Sequence, residues 1–323
     1  MDPKLYLTDP GIYKNNQGYR YHSNDKLVTD PKTLTRLNGL VVPPAWKSVW
    51  YSSNPDCHIL VHGIDQGGKK QYILSPEWIA SQNNSKFKRM KTFVRKIPAF
   101  KRLISLDQFT TTGSVWDFNN KQNLIYLLFN LLLDTHIRVG NEIYADNNKT
   151  YGLTTLRQKH LTCTNHCYQF SFVGKSNQKH QIEVPKKYKW IISQFITNKK
   201  ADPLFYFYQS PVKIKQTISS EELNNQLKAY IGDEYTCKDF RTYSANVIFI
   251  KSFLTNAKKS EKGTPLLNNI ILDSINESAK QLGHTKTISK KNYISNKLID
   301  FIIDYPTVAV QSSSSALLSR VWS

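Results

Sequence analysis

The chain has 323 residues, enough to bury a sizeable core and to divide into two domains. Its 44 Lys and Arg against 24 Asp and Glu give a formal charge of +20 and a pI near 9.6, so a polyanion is the first partner to expect, nucleic acid ahead of a membrane surface. Four cysteines imply no disulfide framework and fit a reducing, intracellular compartment; the most apolar run, Leu124 to Leu133, is about half the ~20 residues a membrane span requires.

The opening "MDPKLYLTDPG" has no apolar h-region, so no signal peptide is expected. Residues 1–83 are short, turn-punctuated and aromatic ("GIYKNNQGYRYH", "VVPPAWKSVWY", "CHILVHGIDQGGKKQYIL") and predict a small β-rich domain. Composition turns polar and basic around "IASQNNSKFKRMK", which places a boundary near Gln82 to Ser85. Residues 84–323 then predict a larger, mainly helical domain, for an α+β protein overall.

In that second part "KQNLIYLLFNLLLDTHIR" predicts a buried apolar helix ending before Gly140. Tyr168, Phe170 and Phe172 alternate with polar residues, as do Ile182 and Val184, and the two runs flank "GKSNQKH". They predict a β-hairpin with Lys175 near its tip. "SSEELNNQLKAYIG" opens on a capping box, Ser219 to Glu222, and a further helix is expected over Asp239 to Leu254. "NAKKSEKGTP" reads as a loop between helices and "QSSSSA" as a flexible link. The segment "HLTCTNHC" offers His160, Cys163, His166 and Cys167, all zinc-ligand types, but crowds them more closely than paired knuckles allow, so no metal site is expected.

The segment "LGHTKTISKKNY" sets His284 nine residues before Tyr293. On one helix, at about 100° per residue, the two side chains would point to opposite faces. They meet only if the backbone breaks between them, and Ser289 is the expected N-cap of a helix beginning at Lys290. Ile294, Leu298, Phe301 and Ile302 form that helix's apolar stripe, which leaves Tyr293 in its first turn on the polar side with Lys297, Asp300 and Asp304.

An exposed tyrosine on a basic protein suggests phosphoryl chemistry. A phenol has a pKa of about 10, against about 15 or 16 for an alkyl alcohol, so it attacks a phosphodiester and leaves again. The exchange conserves bond energy and needs no ATP in principle. The transition state needs fixed cations around the phosphoryl oxygens and a general acid for the departing alkoxide. Arg138, Lys175 and Arg241 are available for those roles. Taken singly, each also reads as an ordinary cation, Arg138 at a helix C-terminus, Lys175 on a solvated tip, Arg241 in an ion pair with Asp239 or Glu234.

Taken together, and in order, "LNGLVVPPAW", "GIDQGGKKQY", "RVGNEIYADNNKTYGLTTLR", "FVGKSN", "KDFRTYSAN" and "LGHTKTISKKNY" resemble the small type IB DNA topoisomerases of poxviruses, giant DNA viruses and some bacteria, over most of the chain. The resemblance implies a β-rich N-terminal domain and a mainly helical catalytic domain of the tyrosine recombinase/type IB topoisomerase fold, closing as a clamp on duplex DNA. It implies that Tyr293 forms a 3′-phosphotyrosyl bond and releases a 5′-hydroxyl. Arg138 and Arg241 match the arginines that clamp the phosphate, with Arg138 also assisting proton transfer. Lys175 matches the general acid, and His284 the donor to a phosphoryl oxygen. Lys238 and Asn246 match residues that help hold phosphate, Gln71 and Tyr72 an N-terminal DNA-contacting segment, and Tyr144 a major-groove contact. Strand rotation and religation then relax supercoils with neither metal nor nucleotide, in a monomer. If the source is viral, the expected locations are the virion and the host-cell replication compartment.

Two departures from the family pattern, Lys69 and Lys70 in "GGKKQY" and Lys286 in "HTKT", leave the five catalytic positions untouched. A tyrosine recombinase shares those five, but generally carries a histidine three residues before the second arginine, where this chain has Lys238, and has a helical N-terminal region. A non-catalytic DNA-binding protein explains the charge but not the five residues together.

Overall fold

The computed structural model of the chain describes residues 9, 11–14, 21–23, 26–109, 113–164, 167–209, 211–259 and 267–321. Two compact units are present, Met1–Lys86 and Phe87–Ser323. Their secondary structure is the expected α+β division: strands dominate the first, helices the second.

The first unit is a six-stranded sheet of β1 (Ile12–Lys14), β2 (Tyr21–Ser23), β3 (Lys26–Leu27), β4 (Lys47–Tyr51), β5 (Ile59–Ile64) and β6 (Lys70–Leu74), ordered β3-β2-β1-β4-β5-β6 with antiparallel neighbours. Between β3 and β4 lies a helix that the strand reading missed, α1 (Pro31–Gly39). Its signals are local: Asp30 accepts from the Thr33 amide at 2.7 Å, and Pro31 fills the first helical position where a missing N–H costs nothing. Leu37 packs from it onto Ile12, Tyr21, Tyr51, Leu60 and Val61, the unit's buried core.

The segment "IDQGGKKQY" is the β5–β6 turn. Asp65 accepts from the amides of Gly67 and Lys69, each at 2.9 Å, and from Gln71 Nε2 at 2.7 Å. These hydrogen bonds, the Lys69 amide first, hold its carboxyl below the usual range. Helix α2 (Pro76–Leu103) follows, and its Met90, Phe93, Ile97 and Phe100 enter the second unit's core.

At the centre of that core is α3 (Lys121–Thr135), apolar nearly all round as a buried helix should be, with Asn120 capping the amides of Gln122 and Asn123. Phe100 packs edge-on against Phe129 at 5.2 Å and stacks on Phe240 at 5.7 Å. The helix ends earlier than expected. His136 adopts a left-handed conformation (φ 56°), so Ile137 to Gly140 run as an irregular segment, leading to α4 (Glu142–Asn148).

The predicted hairpin is β8 (Cys167–Val173) with β9 (Lys179–Glu183), and β7 (Leu161–Thr164) adds a third strand beside β8. That extra strand accounts for much of the "HLTCTNHC" pattern: Cys163 lies opposite Tyr168 and Thr164 opposite Cys167. His160 is buried, its Nδ1 accepts the Arg157 amide at 3.0 Å, and its ring packs on Tyr151. His166 lies outside the described residues, among which no metal-binding cluster occurs.

Helix α5 (Lys189–Gln194), strands β10 (Phe207–Gln209) and β11 (Ile214–Gln216) and α6 (Ser220–Ile231) precede the long α7 (Cys237–Lys259), which exceeds the expected helix at both ends. Ser219 caps α6 through the Glu222 amide at 3.0 Å. The expected loop in "NAKKSEKGTP" lies partly outside the described residues, its first four residues belonging to α7. Beyond it run α8 (Leu267–Leu282), α9 (Lys286–Asn292), α10 (Asn296–Asp304), α11 (Pro306–Gln311) and α12 (Ser314–Val321). "QSSSSA" is therefore a tight break between two helices: Ser313 caps the second through the Ala316 amide at 3.2 Å. Among the described residues no helix is long and apolar enough to cross a membrane.

Candidate active site

The segment after α3 is pinned by its backbone. The Arg138 carbonyl accepts the Leu153 amide at 2.8 Å and the Val139 carbonyl accepts the Thr154 amide at 2.7 Å. The fit requires glycine at 152, because a Cβ there would stand 2.5 Å from the Gly140 nitrogen and 2.6 Å from the Arg138 carbonyl oxygen. Arg138 is thus half-buried on a fixed strap, not at a helix end as the sequence suggested.

Arg241 stands early in α7 and is 5 % exposed. The ion pair anticipated with Asp239 goes elsewhere: Asp239 pairs with Arg89 of α2 at 3.0 Å and caps α7 through the Thr236 amide at 2.8 Å. Arg241 instead donates through Nη1 to the His136 carbonyl and through Nη2 to the Leu282 carbonyl at 2.7 Å, tying α7 to the ends of α3 and α8. Burial, then the nearby Arg138 charge, brings its pKa down to about 10, so it stays cationic at neutral pH.

The break between His284 and Tyr293 exists, but not in the expected form. Gly283 turns the chain out of α8 with φ 63°, and Thr285, not Ser289, caps the next helix, accepting the Ile288 amide at 3.3 Å. Ser289 is fully buried inside α9, its hydroxyl 3.5 Å from that of Ser278 on α8. Tyr293 follows one turn later at the C-terminal end of α9, on the same inward side, and is only 8 % exposed. The expectation of an outward-facing tyrosine in a first turn is overturned because α9 starts four residues early and α10 does not begin until Asn296. Its ring stacks on His284 at 4.8 Å with 10° between planes, and the Arg241 guanidinium lies 5.8 Å from its centroid.

These contacts set the electrostatics. Burial opposes ionisation of the Tyr293 phenol, but the Arg241 charge and a hydrogen bond from Arg241, then the charges of Arg138 and Lys238, outweigh it and hold the pKa below the ordinary value. Burial, then Arg241 and Arg138, lowers the His284 pKa to about 4, so the imidazole is neutral at pH 7. Its Nδ1 faces Arg241 Nη2 at 3.4 Å, and with that nitrogen accepting, the ring proton lies on Nε2. Both His284 Nε2 and Arg241 Nε are buried without a hydrogen-bond partner among the described residues.

Lys175 is exposed at the β8–β9 turn, where Ser176 and Asn177 are left-handed (φ 60° and 56°) and the Gly174 amide closes the loop on the Gln178 carbonyl at 2.7 Å. It lines one cleft with Arg138, His180 and Arg241. The five residues singled out from sequence thus gather in one region of the second unit.

The remaining candidates divide. Lys238 is exposed on α7, close enough to lower the Tyr293 pKa, and Tyr144 is 49 % exposed on α4. Gln71 and Tyr72 lie on β6 of the first unit, Gln71 held by Asp65 and Tyr72 44 % exposed beside Lys70. Asn246 does not fit its expected role as a phosphate contact. It is fully buried, donates to the carbonyls of Thr242 at 2.7 Å and Tyr293 at 2.8 Å, and accepts the Ser295 amide at 3.0 Å. Its amide holds the backbone on both sides of the tyrosine. Sequence reading also passed over His180, although "HQIEV" places it on the same strand face as Ile182 and Val184.

A family described as eukaryotic DNA topoisomerase I, catalytic core, matches residues 75–304, and one described as bacterial DNA topoisomerase IB, N-terminal domain, matches residues 18–65. The chain is 30 % identical to a DNA topoisomerase 1B of Acanthamoeba polyphaga mimivirus, with 93 % of this chain and 90 % of that protein covered. It is 27 % identical to a DNA topoisomerase I of Monkeypox virus, with 96 % and 93 % covered. The chain belongs to the type IB DNA topoisomerase family. It is an isomerase whose substrate is DNA.

Proposed function

We propose that the chain relaxes supercoiled duplex DNA through a transient 3′-phosphotyrosyl bond at Tyr293. The observation that carries this reading is the pair of buried, unpartnered donors, Arg241 Nε–H and His284 Nε2–H, beside a tyrosine whose phenol is electrostatically acidified. Buried donors without acceptors are costly, about 1–3 kcal/mol each, and a phosphoryl group bound beside Tyr293 would offer them acceptors.

The Tyr293 oxygen attacks phosphorus as its proton passes toward solvent with the help of Arg138. The P–O5′ bond breaks, and the leaving 5′-oxygen takes a proton from Lys175. Arg138, Arg241 and neutral His284 stabilise the negative charge that builds on the non-bridging oxygens. After the free 5′-hydroxyl strand rotates, the reverse attack on phosphorus restores the DNA and the phenol. Bond energy is conserved throughout, so neither ATP nor metal is required.

Lys238, Tyr144, Gln71 and Tyr72 contact the DNA; residues 1–83 act as the clamp's β-rich half and 84–323 as its catalytic half. One chain supplies all five reacting groups, which suits a monomer. The viral source of the similar proteins supports a viral protein acting in the virion and the host-cell replication compartment.

Plasmid relaxation without nucleotide and with excess chelator tests this reading. The wild-type chain should relax the plasmid with no partner site, while Tyr293→Phe should bind DNA but neither relax nor link to it. Strand exchange restricted to paired sites would favour a recombinase instead, and full relaxation by Tyr293→Phe would refute the assignment.

A further inference from the structure

His180 has no part in the chemistry above, yet its ring fills the space between the two turns that carry Lys175 and His284. It lies on β9 opposite Phe172 of β8 and stacks on that ring at 5.0 Å with 20° between planes. On one side, a Cβ built on Gly174 would stand 2.7 Å from His180 Cδ2 and 2.8 Å from Nε2. On the other, a Cβ on Gly283 would stand 2.3 Å from Cε1 and 2.7 Å from Nδ1. Gly174 immediately precedes Lys175, and Gly283 immediately precedes His284. Gly174 has ordinary extended dihedrals (φ −103°, ψ −165°), so nothing in its own backbone calls for glycine. The imidazole does.

We propose that His180 is a positioning residue: its imidazole, wedged between Gly174 and Gly283, sets the distance from the Lys175 turn to the His284 turn and so aims Lys175 at the leaving oxygen. This rests on Lys175 being the general acid. The wedge is uncharged at neutral pH, because burial, then Arg138 and Arg241, brings the ring's pKa down to about 4. A neutral ring sits beside two guanidiniums without repulsion, and stacking on Phe172 fixes its plane. The hairpin tip has left-handed residues at Ser176 and Asn177 and an exposed lysine, and the His180 ring packs against the residue that precedes that lysine.

The test is single-turnover cleavage of two duplexes, one with the natural 5′-oxygen at the scissile phosphate and one with bridging 5′-sulfur. A thiolate leaves unaided, since a thiol has a pKa of about 8.5, far below that of an alcohol, and a general acid no longer matters. His180→Ala should slow the oxygen substrate by about 10- to 100-fold, as expected for a misplaced group, and leave the sulfur substrate near the wild-type rate. Equal slowing of both substrates would mean that His180 merely supports the fold and would overturn the proposal.

Gly174→Ala gives an independent reading. It should slow the oxygen substrate alone, and adding His180→Ala should bring little further loss, because the clash and the wedge are one interaction. Fully additive losses would overturn the proposal. Lys175→Ala separates the two levels of inference. Slowing rescued by sulfur in Lys175→Ala but not in His180→Ala discards the wedge alone; absence of rescue in Lys175→Ala discards the general acid and the wedge with it.

Discussion

Arg241 and Lys175 face the same cleft from opposite kinds of structure. Arg241 is 5 % exposed on a 23-residue helix and tied to carbonyls at the ends of two other helices, within a group that includes Tyr293 and His284. Lys175 is exposed on a hairpin turn, steadied from beneath by one imidazole. The half that holds the proposed nucleophile is therefore part of the core, and its function and stability are coupled. The half proposed to protonate the leaving group is peripheral, so its function can be lost without disturbing the fold.

Substitutions on the two sides should separate that coupling. Lys175→Ala should slow cleavage by about 10²- to 10⁴-fold, the usual contribution of a general acid, with the urea midpoint of unfolding unchanged. Arg241→Ala should slow cleavage by about 10²- to 10³-fold, and also lower stability, because the His136 and Leu282 carbonyls lose their donor. If Arg241→Ala leaves stability untouched, the contrast between the halves fails.

Asn246→Ala sharpens it further. Loss of the ties to the Tyr293 carbonyl and the Ser295 amide should reduce unfolding free energy by about 1–3 kcal/mol and slow cleavage, with DNA affinity retained. Weakened DNA binding at unchanged stability would restore the phosphate-contact role that the sequence suggested.

Acid should act through the histidines of the second unit. His136, His160, His180 and His284 all have pKa values lowered to about 4, burial being the first cause in each. Between about pH 6.5 and 4 they are neutral when folded and protonated when unfolded. The unfolded chain then binds more protons, so stability should fall as pH drops through that window. Urea titrations at pH 7 and pH 4.5 check the sign, and His284→Gln should flatten part of the slope. The smallest effect belongs to the exposed Lys238: Lys238→Ala should weaken DNA binding modestly and reduce the magnitude of the slope of log affinity against log salt by about one.

The legibility of the sequence follows the same division. The apolar α3, the β8–β9 hairpin and the N-cap of α6 were readable because each depends on periodicity or a local cap. The positions of Arg138 and Tyr293 were misread because both depend on where a helix stops. His136 ends α3 by a left-handed turn that its residue type does not announce, and α9 takes Thr285 as its cap although Ser289 offers the same chemistry. The deciding contact for Ser289 is tertiary, its burial against Ser278. Asn246 was misassigned for the same reason, since nothing local distinguishes an amide facing DNA from one holding backbone four dozen residues away. His180 left a faint trace in the strand alternation, but its function as a wedge is visible only where two glycines approach it.

The central claim, that the buried tyrosine is the nucleophile, is tested most directly by trapping the chain on nicked duplex DNA and mapping the covalent link by peptide mass spectrometry. The account predicts a single adduct joining Tyr293 to a 3′-phosphate, with a free 5′-hydroxyl on the released strand. A link to any other residue, or to a 5′-phosphate, would contradict it.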